Sequence, residues 1–189
     1  LHDDVGGNLG SVALIAERIA SDVDDPALAV EMSDLSLYVR EATASMRDVV
    51  WMIDRAETSL LELMGKLTHR AQRILGGMGM DVVIEQGDLP DRIVALSKKR
   101  QLIMVFKEVI HNCARHSQAT RVDIRLRTQG ASLKSRFADN GRGFNVSDSH
   151  DGWGLDSIQK RIKEIGGQAS FRSAPGNGAT WDFEIPQPS

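Results

Sequence analysis

The chain has 189 residues, 41% of them hydrophobic, and its 23 Lys and Arg against 26 Asp and Glu leave a net charge of −3. At roughly 150 residues per domain this is one domain or two small ones, with enough apolar material to fill a core unaided. Cys113 is the only cysteine, which excludes an intrachain disulfide or a Cys-based zinc site and fits a reducing, cytoplasmic setting, while a pI of about 6.0 without any basic stripe argues against direct nucleic-acid binding.

The chain opens on Leu1, inside a helical pattern, so a native upstream region, with any membrane anchor, is expected to precede it. Leu1, Val5, Leu9, Val12 and Ile19 fall at helical spacing, and Gly6, Gly7 and Gly10 beside His2 point to close approach or bending rather than stability. Asp22 to Asp25 interrupts, and Pro26 fits the first turn of a second helix with an Asp cap before it. In that helix Leu28, Met32, Leu35, Val39, Ala42, Met46, Val49 and Ile53 form a heptad seam. One hairpin cannot close over such a seam, whereas two hairpins packed as a four-helix bundle bury it, so a homodimer is expected; the period by itself fits a long helix packed on its own domain equally well. The longest purely apolar run, Val49 to Ile53, is far short of the ~18 to 20 residues that span a bilayer.

The hairpin fills residues 1–56, and a second domain fills 57–189. It begins with a helix from Ser59 to about Leu75, carrying Leu60, Met64, Leu67, Ala71 and Ile74 on one face and ended by Gly76-Gly77. Asp81 to Glu85 reads as a strand. A long helix follows from Leu96 to His116, then strands near Arg121 to Arg127 and Ala131 to Phe137, a polar stretch from Asn145 to Asp151, a helix from Leu155 to Ile165, and strands near Ala169 to Ser173 and Thr180 to Ile185. The fold class is therefore α+β: a helical hairpin followed by a two-layer α/β sandwich.

The Leu96 to His116 helix has an informative wheel. At about 100° per residue from Glu108, Asn112 falls at about 40°, Arg115 at about 340° and His116 at about 80°, while Leu102, Ile103, Phe106, Val109, Ile110 and Cys113 occupy about 100° to 220°. Read alone, the polar row is a solvated face. Read functionally, Glu108 and Asn112 offer hard oxygens suited to Mg²⁺ and its waters, and Arg115 offers phosphate-binding donors. Next comes Asp139-Asn140-Gly141-Arg142-Gly143, where Asn-Gly by itself signals a hairpin turn. No strand follows it; instead Gly152-Trp153-Gly154 opens an amphipathic helix, where backbone N–H groups and the positive helix end can meet a phosphate. Neither a Rossmann fingerprint nor a P-loop fits these glycines.

Glu108-x-x-x-Asn112-x-x-Arg115-His116, Asp139-x-Gly141-x-Gly143, Gly152-x-Gly154-Leu155 and Gly176-x-Gly178-Ala179-Thr180 together resemble the nucleotide-binding boxes of the gyrase/Hsp90/histidine-kinase/MutL (GHKL) ATPase superfamily. The opening Leu1-His2-Asp3-Asp4-x-Gly6 is similar to the phosphoacceptor box of sensor histidine kinases of the NarX/DesK-like subfamily. The resemblance implies an ATP pocket in which Asp139 bonds the adenine amine, helped by Thr180 and a water. It implies that Asn112 holds Mg²⁺ on the triphosphate, that Glu108 acts catalytically by supporting a nearby water or the acceptor, and that Arg115, His116 and the backbone around Gly152 and Gly154 meet the phosphates.

His2 is then the phosphoacceptor. A neutral imidazole has a lone pair free to attack a γ-phosphoryl group, and the resemblance gives Asp3 the role of orienting the ring or accepting its proton. Residues 1–56 become a dimerisation and phosphotransfer hairpin, and the phosphoryl group passes on to the receiver domain of a response regulator, in this subfamily one with a helix-turn-helix output. Gly7 stands where the subfamily often has a Gln that positions a water for dephosphorylating the regulator, so phosphatase activity does not carry over. Two other functions compete: an ATPase or serine kinase of the same superfamily, and a pseudokinase scaffold that binds nucleotide to switch a dimer. Lys98-Lys99-Arg100 reads as a solvated helix start, and Trp51, Trp153 and Trp181 read as packing residues.

Overall fold

The computed structural model describes residues 2–23, 25–53, 57–146 and 154–186. Contacts divide the chain into two compact units, Leu1–Asp54 and Arg55–Ser189.

The first unit is a pair of helices, α1 (His2–Asp22) and α2 (Pro26–Ile53). Asp25 caps α2, its carboxylate accepting the Ala27 N–H at 2.9 Å, and Pro26 takes the first helical position, where a missing N–H costs nothing. The two helices close on each other through small residues: Ala13 and Ala16 of α1 and Ser36 and Thr43 of α2 are buried, and Ser36 donates to the Glu17 carboxylate at 3.0 Å. The heptad seam lies to one side of this contact. Leu28 and Leu35 are exposed while Met32 and Val39 are half-buried; the side chains of Ala42, Met46, Val49 and Ile53 fall outside the described residues. Val12, Ile15 and Ile19 form a matching exposed apolar flank on α1. No described helix is long and apolar enough to cross a membrane.

The second unit is a five-stranded sheet in the order β1-β2-β3-β5-β4, with β1 (Asp81–Gln86), β2 (Arg121–Gln129), β3 (Ser132–Asp139), β4 (Gln168–Ser173) and β5 (Ala179–Pro186). β1 and β2 run parallel, joined through a helix, and the other pairs are antiparallel. The helices α3 (Leu60–Gly77), α4 (Leu96–Asn112) and α5 (Leu155–Glu164) form the second layer. Strand alternation sends Val122, Ile124, Leu126, Leu133, Phe137, Trp181, Phe183 and Ile185 into the core between layers, against Leu63, Met64, Leu67, Leu102, Phe106, Ile158 and Ile162 of the helices. The opposite face is polar and crossed by ion pairs: Arg125 with Glu85, Lys134 with Glu184, and Asp182 shared by Arg136 and Arg172.

Three local expectations need correction. α3 runs through Gly76 and Gly77 and stops at the left-handed Gly79, whose N–H returns to the Gly76 carbonyl, because a helix stop needs positive φ more than it needs a glycine pair. The helix expected to His116 changes geometry after Asn112: Cys113–Ser117 is a five-residue π turn, ended by Gln118 in the left-handed region at φ 54°. Lys99 is not solvated with its neighbours; at 1% exposure it is among the most deeply buried large side chains, because its position in the first turn of α4 faces the core side.

Candidate nucleotide site

The site forms where β3 ends, α4 ends and α5 begins. β3 continues two residues beyond its expected end, so Asp139 is its last residue, paired with Val122 on one side and Ala179 on the other, and its side chain shares the inward face with Phe137. The Asp139 carboxylate accepts the Gly141 N–H at 2.9 Å and a backbone N–H from Ala179. Burial raises its pKa above the ordinary aspartate value, and the two N–H donors oppose that rise. An acceptor held this way, half out of water and already oriented, is suited to a neutral N–H donor such as an exocyclic amine.

Around it lies a cleft lined by Asn112, His116, Asp139, Gly143, Leu155 and Ala179, with Phe137, Phe144, Phe171 and Trp181 as apolar walls. The aromatic walls are coupled: Phe144 lies 5.6 Å from Phe171 and Phe171 lies 4.7 Å from Trp181, ring centre to ring centre. Cys113 also reaches the cleft, where burial pushes its thiol up to about 11, so it is a buried hydrophobe and not a nucleophile at neutral pH.

Backbone builds much of the remainder. Arg142 N–H donates to the Ser117 carbonyl at 2.7 Å, and Gly141 passes so close to that carbonyl that a Cβ would sit 2.2 Å from it. Gly143 (φ 57°) lies over the Ala174 carbonyl, where a Cβ would come within 2.0 Å. Gly178 is pressed in the same way on the Asp139 carbonyl, at 1.9 Å. The Asn140 side chain clips the loop to the sheet by accepting the N–H groups of Thr120 and Arg121 and donating to the Thr120 hydroxyl. Asn140-Gly141 is thus not a hairpin turn; the β2 to β3 hairpin turns at Gly130.

The polar row of the long helix is brought to the cleft in a changed order. Asn112 closes α4 and lines the cleft, and the π turn carries His116 into the lining while Arg115 stays exposed at its rim. A π turn inserts a residue into the helical repeat, which a 100° wheel does not describe, and such insertions are concentrated at functional sites. Burial lowers the His116 pKa, helped by the charges of His111, Arg142 and Arg115 and opposed by Glu108. Glu108 is half-buried at the start of α5: a Cβ on Gly154, which caps that helix at φ 69°, would fall 2.0 Å from Glu108 Oε1. Among the described residues no three His, Cys, Asp or Glu side chains cluster as a metal cage. Asn112 and Glu108 fit a divalent ion that takes most of its oxygens from phosphate and water, which is the usual habit of Mg²⁺.

Thr180 is a correction. It sits one residue past Ala179 on β5, pairs with Ala138 and faces the polar side of the sheet with Asp182 and Glu184, so the residue beside Asp139 in the cleft is Ala179. Period-two alternation leaves no other choice. Phe144 and Phe171 were not legible from motif spacing; only an apolar residue flanking the glycines could have signalled them. Gly152 and most of the Asn145 to Asp151 stretch lie outside the described residues, as do the side chains of His2 and Asp3, whose backbone belongs to the first turn of α1. A larger concavity, about 900 Å³, lies on the polar face of the sheet, and its charges are largely paired with one another.

Residues 97–189 match the family model described as histidine kinase-, DNA gyrase B-, and HSP90-like ATPase. The chain is similar to the sensor histidine kinase LiaS of Bacillus subtilis, at 24% identity over 98% of this chain and 52% of that protein. It is similar also to the sensor protein VraS of Staphylococcus epidermidis, at 28% identity over 98% of this chain and 53% of that protein. It thus spans about half the length of the curated relatives it matches. Among solved structures, the histidine kinase domain of the Erythrobacter litoralis EL346 blue-light activated histidine kinase aligns with a TM-score of 0.58 at 16% identity, covering 93% of this chain and 95% of that one.

Proposed function

We propose, from the premise that the chain belongs through residues 97–189 to the histidine kinase-like ATPase family, that it is the catalytic core of a sensor histidine kinase. Residues 57–189 bind ATP and residues 1–56 dimerise and carry the phosphoacceptor His2. The observation that carries the reading is the Asp139 carboxylate, held by two backbone N–H groups in the same cleft as Asn112, His116 and the head of α5.

Adenine enters between the aromatic walls with its amine on Asp139, and the triphosphate runs toward Asn112, Arg115, His116 and the N-terminus of α5, whose backbone N–H groups and dipole favour anions. Mg²⁺, when bound, neutralises phosphate charge as the γ-phosphoryl group leaves, and Asn112 with Glu108 would hold it. An imidazole nitrogen of His2 attacks the γ-phosphorus, the bond to the bridging β–γ oxygen breaks, ADP departs, and the ring proton passes to Asp3. The chain contributes mainly positioning and charge. The phosphohistidine then yields its phosphoryl group to an aspartate on the receiver domain of a response regulator.

Incubation with γ-labelled ATP and Mg²⁺ tests this. The expected result is acid-labile, base-stable label on the parent chain and none on His2→Gln. Label that persists in the variant removes His2 from its role; tight nucleotide binding with no label, in a longer chain as well, assigns a scaffold instead.

A further inference from the structure

The Asp139 to Gly143 loop carries a cation that the motif reading leaves without a task. The Arg142 backbone is held from both sides, its N–H donating to the Ser117 carbonyl at 2.7 Å and its carbonyl accepting the Gly176 N–H at 2.6 Å. Its neighbours are Gly141, packed on the π turn, and Gly143, in the cleft lining. The Arg142 Cα is therefore pinned at the cleft rim between the π turn and the Gly176 loop, while its side chain is exposed. Among the described residues no carboxylate pairs with its guanidinium, whereas Arg121, Arg125, Arg136 and Arg172 on the polar sheet face each have an acidic partner.

The Arg142 charge is nonetheless felt in the cleft, acting on His116 beside those of Arg115 and His111. Two permanently charged guanidinium groups, those of Arg115 and Arg142, thus flank the His116 imidazole at one margin of a cleft in which Asp139 is the one carboxylate among the described lining residues. In a chain of net charge −3 such a grouping of one sign is a local feature, and it repels itself until an anion enters. An arginine whose backbone is fixed and whose head is free meets a phosphate at little ordering cost, with a fork of donors matched to two oxygens.

We propose that Arg142 is a further anion-binding residue of the nucleotide cleft, its guanidinium taking phosphate oxygens of the bound nucleoside polyphosphate. The assignment rests on the nucleotide-binding function proposed above and adds a polyphosphate contact from the glycine loop to those from the helix. Titration calorimetry with ATP, ADP and adenosine, in Mg²⁺ buffer, on the whole chain and on Arg142→Ala and Arg142→Lys tests it. Arg142→Ala is expected to weaken ATP about five- to twentyfold and adenosine less than about twofold, with Arg142→Lys between parent and Ala. The parent affinity for ATP also falls more steeply with salt than that of Arg142→Ala. Unchanged ATP affinity in Arg142→Ala, or equal losses for ATP and adenosine, overturns the Arg142 assignment while leaving the nucleotide site standing. A parent chain that binds none of the three overturns the nucleotide function and this proposal together.

Discussion

At Asp139 one carboxylate sets binding and stability against each other. Its pKa is raised by burial, so the folded chain holds that proton more tightly than the unfolded chain. The stabilisation is therefore present below the ordinary aspartate pKa of about 3.9 and is lost as pH rises through the raised value. Asp139→Asn escapes that loss and still offers an oxygen to the Gly141 N–H. Its melting temperature is expected to exceed that of the parent near neutral pH, with the gap closing as pH falls toward about 4, while nucleotide affinity drops by about tenfold or more. Thermal melts across pH and one titration check both halves. Gln118 offers a simpler case. Left-handed backbone costs a residue with a Cβ about 1 to 2 kcal/mol, and glycine gives back about half of that in unfolded-chain entropy. Gln118→Gly is therefore expected to raise stability by about 0.5 to 1 kcal/mol, read as an upward shift in the denaturation midpoint with unchanged slope.

At the scale of the element, α2 carries two stripes with different tasks. Ser36 and Thr43 close on α1, and Leu28 and Leu35 look elsewhere, so in the proposed dimer a second hairpin buries the latter. Leu35→Glu is expected to convert the chain to monomer in sedimentation velocity. Val30→Glu, which is 61% exposed and lies on the far side of the helix from the seam, leaves the dimer intact. If both variants sediment as the parent does, the seam is not the interface. Elements were legible where one periodic signal dominated: the long helix over Pro26–Ile53, its Asp25-Pro26 start and the alternation of β2 all recur in the structure. Their ends were less legible. Gly76-Gly77 reads as a stop yet continues as helix, since backbone contacts at Gly79 decide the matter. The π turn is invisible to a wheel drawn at a single angular step, because it is fixed by Ser117, whose hydroxyl donates to the Cys113 carbonyl and receives the Ala119 N–H. Lys99 was misjudged because a run of three basic residues at a helix start spans more than one face of the helix, and its middle member turns inward.

For the molecule as a whole, what could be read in advance of the site was the order of its motifs along the chain, and what could not was the parity at its far edge. Asn112, His116, Asp139, Gly143 and Leu155 do meet in one cleft across more than forty positions of sequence. Thr180 misses it by one residue, because β3 and β5 pair in a register that turns Ala179 inward, and pairing register is not encoded in any one segment. The aromatic walls escaped notice for a related reason: Phe144, Phe171 and Trp181 come from a loop and two strands, and look unrelated until the sheet assembles. The glycines at 141, 143 and 178 leave a cradle of main chain in which not even a methyl group has room. A surface made of peptide groups is deaf to most point mutation. If descendants of this chain came to prefer another nucleobase, drift would have to act through the aromatic sides or through Ala179, where a single hydroxyl could be gained without disturbing the scaffold beneath.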